Sequence, residues 1–460
     1  MKQYSIIYYL RNDINLLVDS LRKRFIDVNL VYRARKLDED IRVLRREVDS
    51  LKAEKNRLTK ALPKASPEER QRLINRAKEL DEVISIKSQR LKSLEDEFNR
   101  VLNEIPNIVS DDVPVAEDES GNKVLRYWGR PKVMERLLDS FIESTRGFDI
   151  DYELIDYEVI PHADWSEDSG LVDVLRAGKT AGSRFYYMFS DLVILDIALT
   201  AYAIDYLVRR GFIPVETPHM IRREVMEGAA FFEAFQDTLY RTCDEELYLI
   251  ATSEQSLAGL YYNEVLEESE LPVKLAGWSP CYRREAGAHG RDMKGIFRVH
   301  QFNKVEQFIF SHPEESKKYH EELIRNAEEL YQGLGLPYRV VVIASGEMNR
   351  LAIKQYDLEV WMPSQGVYRE LVSASNCTDW QAYRLNIRFT DKRGHPIKGY
   401  VHTLNGTAIA IQRTLTAIIE NYQDSDGRVE IPKVLHRYLS TFGFGDKKYI
   451  EPIELPGGKP

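Results

Sequence analysis

Two apolar seams separated by a proline-containing break constrain this chain more than any other feature. Residues 37–62 place Leu37, Ile41, Leu44, Val48, Leu51, Leu58 and Leu62 at alternating spacings of four and three, with Lys55 in the one gap. Residues 73–105 repeat the pattern through Leu73, Ala77, Leu80, Ile84, Leu91, Leu94, Phe98, Val101 and Ile105, with Lys87 in the gap. A period of 3.5 is the seam of a coiled coil. Between the seams lies Pro63-Lys64-Ala65-Ser66-Pro67-Glu68-Glu69. The prolines stop one helix, and Ser66 before Pro67 supplies the N-cap and first residue of the next. The spacing predicts an antiparallel helical hairpin. Roughly 35 residues per helix make an arm about 50 Å long.

Composition limits the class of the remainder. Of 460 residues, 43% are hydrophobic and 30% charged, enough for a large core and too apolar for a disordered chain. No run approaches the roughly 18 apolar residues of a membrane span. The short run at 6–10 meets Arg11, Asn12 and Asp13 at once, which does not fit a secretory leader. Three cysteines with no CxxC pair offer no disulfide framework. A soluble cytoplasmic protein with no membrane partner is expected.

The net charge of −9 argues against nucleic acid until it is divided. Residues 1–105 carry +6 and the remainder −15. Such asymmetry points to an anionic partner for one domain only. Arg33, Arg35, Lys36, Arg42, Arg45, Arg46, Lys52, Arg57 and Lys60 supply phosphate-contacting charge. Acidic residues interleave with them, so an oligomerisation rod with a solvated charged face is the competing reading.

Residues 106–122 are rich in Asp, Glu, Pro and Gly without period, and read as a linker. Beyond them helices alternate with strand-like runs at 213–215, 246–251, 273–278, 296–310 and 338–343, which favours a mainly antiparallel sheet. The GKT at 178–180 has Asp173 where a P-loop needs glycine, and Tyr338 breaks the dinucleotide pattern begun by Gly333 and Gly335. No zinc-ligand spacing and no GxSxG elbow occur.

The chemistry concentrates in Pro280-Cys281-Tyr282-Arg283-Arg284-Glu285-Ala286-Gly287, a polar loop, and Ile296-Phe297-Arg298-Val299-His300-Gln301-Phe302-Asn303-Lys304-Val305-Glu306. This reads as strand, loop and returning strand. Alternation puts Arg283 with Glu285 on one face, and Arg298, Phe302 and Glu306 together on one face. Cations, anions and an aromatic against a sheet suit a charged substrate; taken singly, each Arg-x-Glu is equally a surface salt bridge.

Taken in order, these segments resemble the class II aminoacyl-tRNA synthetases, and within them the serine-specific branch. The hairpin resembles the second class motif. Residues 211–218, after a long helix, resemble the first, which carries the dimer interface in that class. Asn405-Gly406-Thr407-Ala408-Ile409-Ala410-Ile411-Gln412-Arg413 resembles the third. Thr252-Ser253-Glu254 matches the serine-specific loop, Glu370-Leu371-Val372-Ser373 the strand before the third motif, and the basic hairpin the tRNA-binding arm. The resemblance implies an α+β fold: a tRNA-binding domain over 1–105 with its arm from about residue 30, the linker 106–122, and an antiparallel-sheet catalytic domain over 123–460.

The resemblance also implies roles. Arg283 would hold the ATP α-phosphate, Arg298 and Arg413 the γ-phosphate, Glu285 the adenine edge, and Phe302 would stack on the base. Val299, Leu371 and Val372 complete the ATP set. Glu370 and Ser373 offer oxygen ligands to Mg²⁺. Glu306 would pair with the ammonium of L-serine; Thr252, Glu254 and Thr407 would surround its hydroxyl, with Ser253 and Asn405 beside them. His289 and Arg291 would touch the end of serine tRNA, with selenocysteine tRNA a possible second partner, and the enzyme would be a homodimer. Two rivals stay open here: a synthetase-like ligase that loads a carrier protein, and a catalytically inactive RNA-binding paralogue.

Overall fold

The computed structural model describes residues 4–232, 236–285, 292 and 294–456. The chain forms two compact units, Ser5–Ile108 and a larger one that runs from Val109 onward and includes Tyr4.

The smaller unit holds α1 (Ser5–Asn12), α2 (Ile14–Lys23), α3 (Asn29–Ala61) and α4 (Pro67–Glu104). Helices α3 and α4 are the hairpin that the seams predict. Ser66 caps α4 by accepting the Glu69 N–H at 3.4 Å, and Pro67 is the first helical residue. Leu37, Ile41 and Val48 are buried against Leu80, Leu94, Phe98 and Val101 along the seam, while Leu44, Leu51, Leu58 and Ile84 are half-buried. The two gaps in the seam are filled by ion pairs that cross the hairpin, Lys55 to Asp81 and Lys87 to Glu47 at 2.6 Å. Long lysine stems can cover apolar surface while the charge reaches a partner.

The larger unit is built on an eight-stranded sheet. Its strands are β1 (Lys123–Trp128), β2 (Ile213–Glu216), β3 (Val273–Tyr282), β4 (Gln301–Ser311), β5 (Tyr338–Val342), β6 (Lys354–Met362), β7 (Val367–Thr378) and β8 (His402–Ala410). They lie in the order β1-β5-β6-β7-β8-β4-β3-β2, antiparallel throughout except for β2 beside β3. The helices that matter for the site are α5 (Asp191–Val208), α6 (Ser253–Ala258), α7 (Ser316–Gly333), α8 (Trp380–Arg384) and α9 (Ile411–Asn421). Leu195 and Leu199 of α5, Leu323 and Leu330 of α7, and Leu415 and Ile418 of α9 share one core with Val305, Ile309 and Leu404 of the sheet.

Of residues 106–122, read from composition as a linker, those from Val109 onward belong to this unit. Val109 and Val113 enter its core. Ser110 N–H donates to the Ile353 carbonyl and Ser345 N–H to that of Pro114, both at 3.0 Å. Gly346 permits this approach, because a Cβ there would fall 2.4 Å from the Glu117 carbonyl.

One expectation is corrected. The apolar run at 296–310 is a strand only from Gln301. Ile296, Phe297 and Val299 are buried in irregular backbone, so burial rather than strand pairing explains their apolar character. Arg283, Glu285 and Arg298 therefore lie outside the strands, and alternation does not set their directions. Among the described residues, no helix is long and apolar enough to cross a membrane.

Candidate active site

The site is built outward from β4. Alternation sends Phe302, Lys304 and Glu306 to one face, and register sets Gly277 of β3 and Thr407 of β8 opposite Glu306. Gly277 lets α6 pack onto the sheet; a Cβ there would fall 2.7 Å from Leu257 Cδ1 and 2.9 Å from Ser253 Oγ. Thr252 caps α6 by accepting the Glu254 N–H at 3.2 Å, and its hydroxyl donates to Glu306 Oε2 at 3.5 Å. The Thr407 hydroxyl donates to the same oxygen at 3.4 Å. Lys304 is ion-paired with Glu306, and its Nζ donates to Thr407 Oγ1 at 3.5 Å. Lys304 and Glu306 are both buried, so each depends on the other for compensation.

Glu254 shares this pocket. Its Oε1 accepts from the side-chain amides of Gln381 and Asn405, each at 3.0 Å. Burial, and after it the Glu306 charge, push Glu254 up to about 7, against the opposing pull of Lys304, the Gln381 hydrogen bond and Arg283.

The other end of the cleft is cationic. Arg283 donates from Nε to the Ala251 carbonyl at 3.3 Å, and its guanidinium carbon lies 5.0 Å from the Phe302 ring centre. Arg298 pairs with Glu285 at 2.5 Å, and Glu285 has φ +50°. Arg413 of α9 donates to the Glu370 carbonyl at 2.9 Å and lies 3.4 Å from its carboxylate. Ser373 faces Asp357 across β6 and β7, and Asp357 is held well above the usual carboxylate range by burial and then by Glu370. One cleft joins both ends and is lined by Thr252, Glu254, Arg283, Glu285, Arg298, Val299, Phe302, Glu306, Glu370, Leu371, Ser373, Asn405, Thr407 and Arg413. Three arginines and an aromatic face suit a nucleoside polyphosphate. Two carboxylates among hydroxyls and an amide suit a small ammonium-bearing alcohol.

Comparison with known proteins agrees with this division. The family model for the tRNA synthetase class II core domain (G, H, P, S and T) matches residues 236–422, and that for the seryl-tRNA synthetase N-terminal domain matches residues 7–109. The serine–tRNA ligase of Hyperthermus butylicus is 52% identical over 459 residues, 99% of this chain and 100% of that protein. The chain belongs to the seryl-tRNA synthetase family. The serine–tRNA ligase of Archaeoglobus fulgidus is 53% identical over 451 residues, 98% of this chain and 99% of that protein. The crystal structure of seryl-tRNA synthetase from Pyrococcus horikoshii complexed with ATP matches with a TM-score of 0.91 at 44% identity, covering 99% of this chain and 100% of that one. That of the cytoplasmic serine-tRNA ligase from Naegleria fowleri in complex with AMP matches with a TM-score of 0.81 at 36% identity, covering 97% of both chains.

Not every residue expected from the seryl-tRNA synthetase motifs lines the cleft. Ser253 is buried and donates to the Gly277 carbonyl at 3.3 Å, so it fastens α6 to the sheet. Val372 points into the core. His289 and Arg291 lie outside the described residues. On the arm, Arg33 and Arg45 reach across the hairpin to Glu97 and Glu95 at 2.7 and 2.5 Å. Arg35, Lys36 and Arg42 pair along α3 with Glu39, Asp40 and Asp38. Arg46 donates to the Arg42 carbonyl at 3.2 Å. Lys52, Arg57 and Lys60 are exposed. Sequence reasoning missed Lys304, Asn349, Ser375 and Gln412, which line the cleft, and Gln381 behind it. Lys304 was within reach, since it lies midway between Phe302 and Glu306 on the same face.

Proposed function

We propose that this chain activates L-serine with ATP to seryl-adenylate and then transfers the seryl group to the 3′ end of serine tRNA. The observation that carries the reading is the single cleft with arginines and Phe302 at one end and Glu254, Glu306, Thr252 and Thr407 at the other, in a chain of this family. In the first step a serine carboxylate oxygen bonds to the α-phosphorus while the bond to the β-phosphate bridging oxygen breaks and pyrophosphate leaves. The attacking carboxylate is already ionised, so no base is needed; the protein positions the reactants and stabilises charge. In the second step a terminal ribose hydroxyl attacks the seryl carbonyl and AMP leaves.

Arg283 holds the α-phosphate, and Arg298 and Arg413 exchange their carboxylate partners for γ-phosphate oxygens. Phe302 stacks on adenine, Glu285 meets its edge, and Val299 and Leu371 close the base site. Glu306 accepts the serine ammonium, and Glu254, Thr252, Thr407 and Asn405 surround the hydroxyl. Such a site rejects alanine by leaving its own polar groups unpaired, by about 10⁴ or more. Mg²⁺ fits Glu370 and Ser373, which are hard oxygen donors. Among the described residues, no group of three or more His, Cys, Asp or Glu is placed to hold a metal alone, so phosphate and water would complete its shell. When bound, it would neutralise phosphate charge. The arm reads the tRNA, with Lys52, Arg57 and Lys60 its readiest phosphate contacts. Exposed Ile197, Val208 and Ile213 on α5 and β2 support a homodimer across that face.

Serine-dependent ATP–pyrophosphate exchange followed by charging of bulk tRNA tests the reading. Both activities are expected. Absence of exchange with every amino acid would overturn it, and exchange without charging would favour ligation to a carrier protein.

A further inference from the structure

Helix α8 follows β7, far in sequence from the serine loop, yet Gln381 on it reaches Glu254. Gln381 is 0% exposed, and its whole amide is engaged. Nε2 donates to Glu254 Oε1 at 3.0 Å and to the Ala229 carbonyl at 2.8 Å, while Oε1 accepts the Thr403 hydroxyl at 2.6 Å. Reversing the amide would aim its oxygen at two acceptors, so the orientation is fixed. The helix is held from its other side as well. Tyr4 stacks on Tyr383 at 4.0 Å between ring centres and accepts from Arg384 at 2.8 Å, and the Arg384 guanidinium lies 3.4 Å from the Trp380 ring centre.

We propose that Gln381 is a positioning residue for serine selection: by holding Glu254 through Oε1, it leaves Oε2 to accept the substrate hydroxyl. The inference rests on the assignment of Glu254 to that hydroxyl. Asn405 donates to the same Oε1 at 3.0 Å, so two amides together occupy that oxygen. The hydrogen bond also favours the ionised carboxylate, which alone accepts at both oxygens. The groups that act on Glu254 are Glu306, Lys304, Arg283, Gln381 and Asn405, with the buried Cys377 beside Asn405. Burial and Glu306 disfavour its charge, and Gln381 is one of the few neutral groups that oppose them.

The test is serine-dependent ATP–pyrophosphate exchange by the full-length enzyme across pH, with serine and ATP titrated separately. Gln381→Met keeps the volume and removes the amide. The serine KM is expected to rise about tenfold to a hundredfold, the scale of losing a hydrogen bond to a charged group, with the ATP KM unmoved. Because the lost bond favoured ionised Glu254, the acid limb of kcat/KM for serine is expected to move to higher pH. Gln381→Glu keeps the acceptor for Thr403 but sets a second carboxylate against Glu254, and its acid limb is expected to move further; it decides the matter if the methionine variant fails to melt cooperatively. An unmoved serine KM, or serine and ATP KM rising together with no change in pH profile, overturns the inference. Absence of exchange in the unsubstituted enzyme would overturn the proposed function too, whereas normal exchange there with an unmoved serine KM in the variants overturns this inference alone.

Discussion

The arm and the cleft use the same charged residue types in opposite ways. On the arm, cations and carboxylates pair in the open, as Arg33 does with Glu97 and Lys36 with Asp40. Exposed pairs of this kind are worth little singly and are screened by salt. In the cleft Lys304 and Glu306 are buried as a pair, and burial together with the Glu306 charge pushes the neighbouring Glu254 up. The difference teaches that charge on the arm is a matter of number and placement, which tolerates exchange, while charge in the cleft is a matter of partner, which does not.

The comparison breaks most visibly if the two regions fail to separate in function. Replacing residues 40–94 of the hairpin by a short turn is expected to lower tRNA charging by about 10³ or more, the scale of losing several phosphate contacts, and to leave pyrophosphate exchange within about twofold. Charging that survives would remove the arm as the tRNA reader. Next in size, Lys304→Met strands the buried Glu306 and is expected to cost about 3–5 kcal/mol of stability by chemical denaturation. Adding Glu306→Gln is expected to restore stability but not exchange. Arg283→Ala is expected to slow exchange about 10²–10³-fold, the loss of one preorganised charge partner, and near-normal exchange would sink its phosphate role. The smallest effect belongs to the arm: Lys87→Leu removes an exposed pair but mends the seam, and its melting midpoint is expected to shift by less than the equivalent of about 1 kcal/mol.

The arm was legible because a helical seam is a local pattern. Its spacing gave both helices, and Ser66 and Pro67 the start of the second. Strands β3 and β4 were legible for the same reason, but their loop-side ends were not, since Ile296, Phe297 and Val299 are apolar for burial and imitate a strand. The motif residues of the cleft were named through resemblance, and most of them line it. Ser253 and Val372 were carried along by adjacency in the motif, although neighbours on a helix or strand point in different directions. Gln381 was out of reach, because its partner Glu254 lies 127 positions away and no local pattern joins them.

The lysines that interrupt the seam have one more consequence. Lys55 and Lys87 each meet one acidic residue on the opposite helix, so they mark where the two strands of the hairpin must align. Sliding one helix by a heptad would part both pairs and displace the tip by about 10 Å. The hairpin is thus a ruler with two engraved marks. Removing seven residues from each helix between the marks and the base of the hairpin would shorten it by about the same 10 Å without disturbing the alignment, whereas removing seven from one helix alone would leave the marks facing the wrong graduations.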